Sequence, residues 1–111
     1  MSIEDVNKID IFTMTDEGVF PPQAIMVITD HLDWVIDAKE HLFKLQEKIN
    51  SYIAAVESEE IYNHFPNARG RNIVFKIFFQ HAVPEESVEF LAKVKDVLSP
   101  MNIQLQYEVS D

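Results

Sequence analysis

The sequence predicts an α+β fold, a two-layer sandwich with two helices on one face of a four-stranded mixed sheet. Four segments show the composition or alternation of strands, two longer segments repeat apolar residues every three or four positions, and turn residues separate them. The resulting order is β-β-α-β-α-β. Because right-handed crossovers place both helices on one side, we expect strand order 1-2-3-4 with strands two, three and four parallel.

The strands differ in how clearly the sequence marks them. The first, Lys8 to Thr15, alternates with period two, and a turn segment joins it to Gln23–Asp30, which predicts a hairpin. The third, Asn72 to His81, is rich in β-branched and aromatic residues. The last, Asn102 to Val109, alternates strictly. The first and last are the more polar pair, and we expect them at the sheet edges.

The long helix is predicted from Asp37 to about Ser58. Asp37 and Glu40 have the spacing of a capping box, in which Asp replaces the usual Ser or Thr. The helix carries one apolar stripe, formed by Ala38, Leu42, Leu45, Ile49, Tyr52, Ile53 and Val56.

The second helix is predicted to follow a connector over residues 59–72, in which one helical turn could form. It begins after Pro84, where Glu85 and Glu86 suit the positive end of the helix dipole, and it stops at Pro100. Its expected buried residues are Phe90, Leu91, Val94, Val97 and Leu98.

Length and composition indicate one domain over residues 1–111, with frayed ends at 1–6 and 110–111. A chain of 111 residues with 47% hydrophobic content can bury one core. No window approaches the ~18 apolar residues of a membrane span, and the first ten residues lack a signal-peptide pattern. The absence of cysteine suits a reducing compartment, so we expect a cytoplasmic protein.

The formal net charge of −10 argues against a nucleic-acid partner, because phosphate binding requires clustered Lys and Arg. Such a charge would speed association with a basic protein, and it also serves solubility.

Alternation assigns the apolar strand residues to two faces. The face expected under the helices carries Ile9, Ile11, Ile25, Val27, Ile73, Phe75, Ile77, Phe79, Ile103, Leu105, Tyr107 and Val109. The opposite face is expected to be open and to form an interface with a second copy or another protein. The predicted interface residues are Phe12, Met14, Met26, Ile28, Val74 and Phe78. The alternative is that the amino-terminal segment or the 59–72 connector covers them.

The segment "TDHLDWVIDAKEHL" concentrates polar and aromatic residues at the predicted carboxyl end of strand two, where open α/β sheets commonly bind ligands. His and carboxylate side chains suit zinc, iron or nickel, and the candidate ligands are His31, Asp33, Asp37 and His41. The spacing matches no established metal motif. We therefore favour no metal, with His41 as a boundary residue and Trp34 as a lid over the seam between helix and sheet.

Two arginines flank a glycine in "NARGRN". Arg69 and Arg71 could clamp a carboxylate or phosphate, although two arginines among nineteen acids usually find structural partners. Gly18 and Gly70 are the only glycines, which excludes a glycine-rich phosphate loop. No serine has the context of a nucleophile, so the sequence favours no cofactor, no catalytic residue and a non-enzymatic role.

Nearly the whole chain, from Val6 to Val109, resembles a family of small bacterial proteins known as a domain of unknown function. The resemblance lies in His31-Leu32-Asp33-Trp34, in the "LQEKIN" helix core and in the pair Gly70 and Arg71. It implies a single compact domain and brings no established activity.

Three functions remain. The leading hypothesis is an acidic protein-interaction module that forms a homo-oligomer through the open sheet face. The second is an immunity-type protein that neutralises a basic toxin. The third is a small-molecule or metal-dependent enzyme built on the 31–41 loop.

Overall fold

The computed structural model describes residues 11–15, 18, 21–35 and 37–110, and the predicted elements occur there in the predicted order. The main elements are β1 (Ile11–Met14), β2 (Gln23–Asp30), α1 (Ala38–Glu57), β3 (Asn72–Phe79), α3 (Glu85–Leu98) and β4 (Ile103–Val109). The connector holds more structure than predicted, with a short helix α2 (Glu60–His64) and a 3-10 turn (Pro66–Ala68); a second 3-10 turn (Ser99–Met101) precedes β4. Residues 1–6, predicted to be frayed, lie outside the described residues.

The sheet has the predicted order β1-β2-β3-β4. β1 pairs with β2 antiparallel, whereas β2 with β3 and β3 with β4 are parallel. The α+β fold with a mixed sheet is therefore confirmed. Among the described residues, none of the helices combines the length and apolar content that crossing a membrane requires.

Local contacts and backbone conformation determine where α1 begins and ends. The Asp37 carboxylate accepts a hydrogen bond from the Glu40 backbone N–H at 3.0 Å, as the capping pattern predicted. At the other end, Glu59 adopts a left-handed backbone with φ of 62°, which stops the helix and turns the chain into α2.

The two faces of strand β2 are the reverse of those predicted: the residues expected on the outer face lie under the helices. Its register pairs Met26 with Phe75 and Ile28 with Ile77, and paired residues of neighbouring strands share a face. Met26 and Ile28 are fully buried in the core under the helices, so Ile25 and Val27 lie on the outer face. The prediction failed because β2 carries large apolar residues on both faces, and alternation alone does not distinguish them.

The faces of strand β1 are reversed in the same way, because its residues pair with those of β2. Phe12 pairs with Met26 and Met14 with Ala24, and both side chains pack against the core. Phe12 also stacks on Phe65 of the connector, with ring centroids 4.0 Å apart. The connector thus covers Phe12 on the helix side of the sheet, whereas the alternative concerned the outer face. The predicted core residue Ile9 and the side chain of Ile11 lie outside the described part of the structure.

Candidate functional site

The carboxyl end of β2 brings together the polar residues of the 31–41 segment. Asp30 ends this strand and pairs with Phe79, the last residue of the parallel strand β3. The loop from Asp30 to α1 therefore lies at the carboxyl end of two parallel strands, the edge where open α/β sheets commonly bind ligands.

Asp30 and His41 form a buried pair in this region. Nε2 of His41 lies 2.6 Å from Oδ2 of Asp30, and both side chains are almost fully buried. The other carboxylate oxygen accepts the backbone N–H of Leu32 at 3.1 Å. Burial raises the pKa of Asp30 above its ordinary value, while the hydrogen bond from His41 and its charge act in the opposite direction.

Trp34 packs against the histidine of this pair. Its ring stacks on the His41 imidazole with centroids 3.5 Å apart and an interplanar angle of 16°, and it also contacts Phe79. The prediction that Trp34 acts as a lid agrees with this position. Nδ1 of His41 and Nε1 of Trp34 are both buried, and neither has a hydrogen-bond partner among the described residues.

A small cavity of about 170 Å³ adjoins the pair. His41 is one of its walls, and the other lining residues are Leu32, Asp33, Asp37, Glu40 and Lys44. Glu40 and Lys44 form a loose ion pair at 3.9 Å. With three carboxylates and one ammonium group, the lining is net acidic.

The four candidate metal ligands are not brought together as one group. Asp33 accepts the Val35 backbone N–H at 2.9 Å, and Asp37 caps α1. His31 is exposed, and His41 pairs with Asp30. Within the described ranges no group of three or more His, Asp or Glu side chains is placed to hold a metal ion.

Sequence reasoning missed Asp30 as a site residue. The available signal was an acid at the end of a dense apolar strand, followed by a histidine in the first turn of the next helix. The alternation pattern marks Asp30 only as the last residue of the strand and gives no indication of its contact with His41.

The two arginines have partners within the protein, as the many acids of the chain led us to expect, and they do not form the candidate anion clamp. Nη1 of Arg71 donates to Thr15 O and Gln23 O at 3.2 and 3.3 Å, which fastens the ends of the β1–β2 hairpin. Arg69 pairs with Glu59 at 3.3 Å and lies over the Tyr62 ring. Each guanidinium group is therefore engaged within the fold.

The six predicted interface residues do not share one open face. Phe12, Met14, Met26 and Ile28 lie on the helix side, as their register requires. Val74 and Phe78 occupy the outer face, where Val74 is 1% exposed and Phe78 37% exposed. Val27, on the same face, is only 4% exposed, so the prediction of a broad open apolar surface is wrong here.

The exposed part of the outer face lies beside the edge strand β4. Phe78 pairs with Glu108 across the β3–β4 ladder, and Lys76 bonds the Glu108 carboxylate at 3.2 Å. The Lys76 ammonium also lies 5.0 Å from the Phe78 ring centroid. No other described strand pairs with the outer edge of β4.

A family model described as "Family of unknown function (DUF6572)" matches residues 1–111. No curated protein matches the chain. No solved structure matches it either.

Proposed function

The chain belongs to DUF6572, a family of unknown function, and we propose that it is a small acidic interaction module that self-associates through β4. The observation that carries this proposal is the free outer edge of β4 among the described strands. Alternate residues of a strand direct their N–H and C=O groups to opposite sides, so about half of these groups in β4 point away from β3.

A second copy fits this edge in antiparallel orientation. A two-fold axis at Gln106, the midpoint of the seven-residue strand, lets all of Ile103–Val109 pair and extends the sheet to eight strands. This register places Gln104 opposite Glu108 of the second copy, so no like charges meet on the outer face. An axis at Glu108 would bring two carboxylates together.

The helix side of the same edge is apolar. In this register Leu105 lies opposite Tyr107 of the second copy, and Ile103 lies opposite Val109. Val109 is 39% exposed in the single chain, and the contact would remove part of that surface from water. Pairing of the backbone and this apolar contact support the edge as an interface.

Two lysine substitutions test the register at equal charge. Gln106→Lys places two ammonium groups face to face at the axis, whereas Gln104→Lys places each one opposite Glu108 of the other copy. Both raise the net charge by one unit, from −10 to −9. We expect sedimentation at tens of micromolar to show a dimer for the parent and Gln104→Lys and a folded monomer for Gln106→Lys.

A monomeric parent at these concentrations would refute the proposal, as would equal behaviour of the two variants. Each copy carries a net charge of −10, so repulsion opposes the dimer at low ionic strength. The screening length falls from about 10 Å at 0.1 M salt to about 3 Å at 1 M. Added salt should therefore strengthen the parent dimer.

The immunity-type alternative rests on the same negative charge and predicts a basic protein partner. The molecular mass in solution distinguishes the two functions. The self-association proposal requires a dimer, whereas an immunity-type protein does not require one.

A further inference from the structure

We propose that the groove between α1 and α3 binds a basic amphipathic helix of a partner protein. The described residues that line this groove belong to the two helices and not to β4, so the site is separate from the proposed self-association.

The course of the chain sets the two helices side by side. α1 leads from the carboxyl end of β2 towards the amino end of β3, and α3 leads from β3 to β4 in the same way. Because these strands are parallel, the two helices run in the same direction on one side of the sheet. Between them lies a cleft of about 220 Å³.

The groove is mainly apolar. Ile49 and Val94 are buried and form its floor, whereas Val97 on its wall is 59% exposed. Successive apolar residues are three or four positions apart on each helix, which places them on one side of that helix. Contiguous exposed apolar surface on a chain of this charge marks an interaction site. The apolar lining residues are Ile49, Ile53, Phe90, Val94 and Val97.

Phe43 extends this apolar surface towards the start of α1. It is 59% exposed and lies three residues before Gln46, which lines the groove, so helical spacing puts both on the same side. From Phe43 to Ile53 the helix rises about 15 Å, or about three turns. A groove of this length suits a helix that inserts one apolar residue per turn.

The charges of the two helices favour a basic occupant. Apart from the buried Lys48, α1 and α3 carry seven acids and four lysines, an excess of three negative charges. Lys93 is the charged residue of the groove wall, and Glu89 and Asp96 lie one helical turn to either side of it. Lysine or arginine on the flanks of a bound helix would pair with such carboxylates. A second copy in the groove would instead bring acidic surfaces together.

A synthetic peptide serves as the probe. It has about 14 residues of leucine, alanine and lysine, with the leucines on one helical face, which is long enough for three to four turns. One control peptide has the same composition with the leucines scattered, and the other has glutamate in place of every lysine. Fluorescence anisotropy of the labelled peptides measures affinity. Circular dichroism measures helix formation, because a free helix of this length is marginal in water.

We expect the amphipathic basic peptide to bind in a saturable manner and to gain helicity. Each control peptide should bind at least about tenfold more weakly, because one lacks a continuous apolar face and the other carries the wrong charge. Added salt should weaken the binding, since it screens opposite charges, whereas it should strengthen the dimer.

Val97→Lys and Val88→Lys form a matched pair of variants. Each replaces an exposed valine of α3 and changes the net charge from −10 to −9. The two positions are nine residues apart, or two and a half turns, so they lie on opposite sides of the helix, and Val97 is the one that lines the groove. We expect peptide affinity to fall about tenfold in Val97→Lys and less than about twofold in Val88→Lys.

Equal affinities of these two variants would overturn the proposal, and so would equal binding of the peptide with scattered leucines. Either result would show only a general attraction between opposite charges. A lack of saturable binding at several hundred micromolar peptide would also overturn it.

Sedimentation tests the other occupant, a second copy. If Val97→Lys turns a dimeric parent into a monomer, the groove holds a second copy and the helix proposal is wrong. Self-association through β4 predicts an unchanged mass for this variant. A monomeric parent that binds the peptide would refute self-association and support the groove.

Discussion

His41 Nε2 lies 2.6 Å from Asp30 Oδ2, and this contact ties the first turn of α1 to the last residue of β2. The two residues are eleven positions apart and enclose the loop that carries Trp34. Since Asp30 is buried, the hydrogen bond does more than close a loop. It offsets part of the cost of placing a carboxylate next to the apolar core.

The stability of the protein should depend on pH through Asp30. Burial raises its pKa in the folded state above the ordinary value of 3.8, so the folded state holds this proton more tightly than the unfolded state. The contribution to stability is complete below pH 3.8 and is lost as the pH rises through the raised folded pKa. The free energy of unfolding, measured by urea denaturation, should therefore fall with pH in the parent relative to Asp30→Asn. Parallel pH profiles for the two proteins would contradict this assignment.

Arg71 and Arg69 should differ in their importance for stability. Arg71→Ala removes the side-chain donor of the Thr15 carbonyl and one of the two donors of the Gln23 carbonyl, which keeps the Thr15 N–H, and we expect a loss of about 1–3 kcal/mol in the free energy of unfolding. Arg69→Ala removes an exposed ion pair and should change it by less than about 1 kcal/mol. Chemical denaturation of the two variants beside the parent measures both values. Equal losses would show that the hairpin does not depend on Arg71.

Phe78→Glu distinguishes two ways of self-association. If the second copy pairs along β4, the interface lies one strand away from Phe78, and the variant should remain a dimer by light scattering. If the second copy covers the outer face, the same substitution should give a folded monomer. Val88→Glu is the control, because Val88 is exposed on α3 and lies on the helix layer. A monomeric Phe78→Glu together with a dimeric Gln106→Lys would move the interface from the edge to the face.

The site was only partly predictable from the sequence. The 31–41 segment was identified from its position after a strand, and Asp37 was correctly assigned as the cap of α1. The four candidate metal ligands, for which the sequence did not favour a metal, are not grouped among the described residues, and spacing along a helix does not show which partner lies across the sheet. Asp30, which pairs with His41, belongs to a different element and is visible only when strand and helix are packed together.

The sequence by itself determined the order of the elements, the boundaries of β2 and the start of α1, because these depend on local alternation, apolar periodicity and capping. Tertiary structure decided which face of β2 is buried. Ile25, Met26, Val27 and Ile28 are apolar on both sides of the strand, so only packing against α1 and the register with β3 select Met26 and Ile28 for the core. The same packing places Phe12 against Phe65 and buries Asp30 beside His41. These contacts join residues distant in sequence, and no local pattern specifies them.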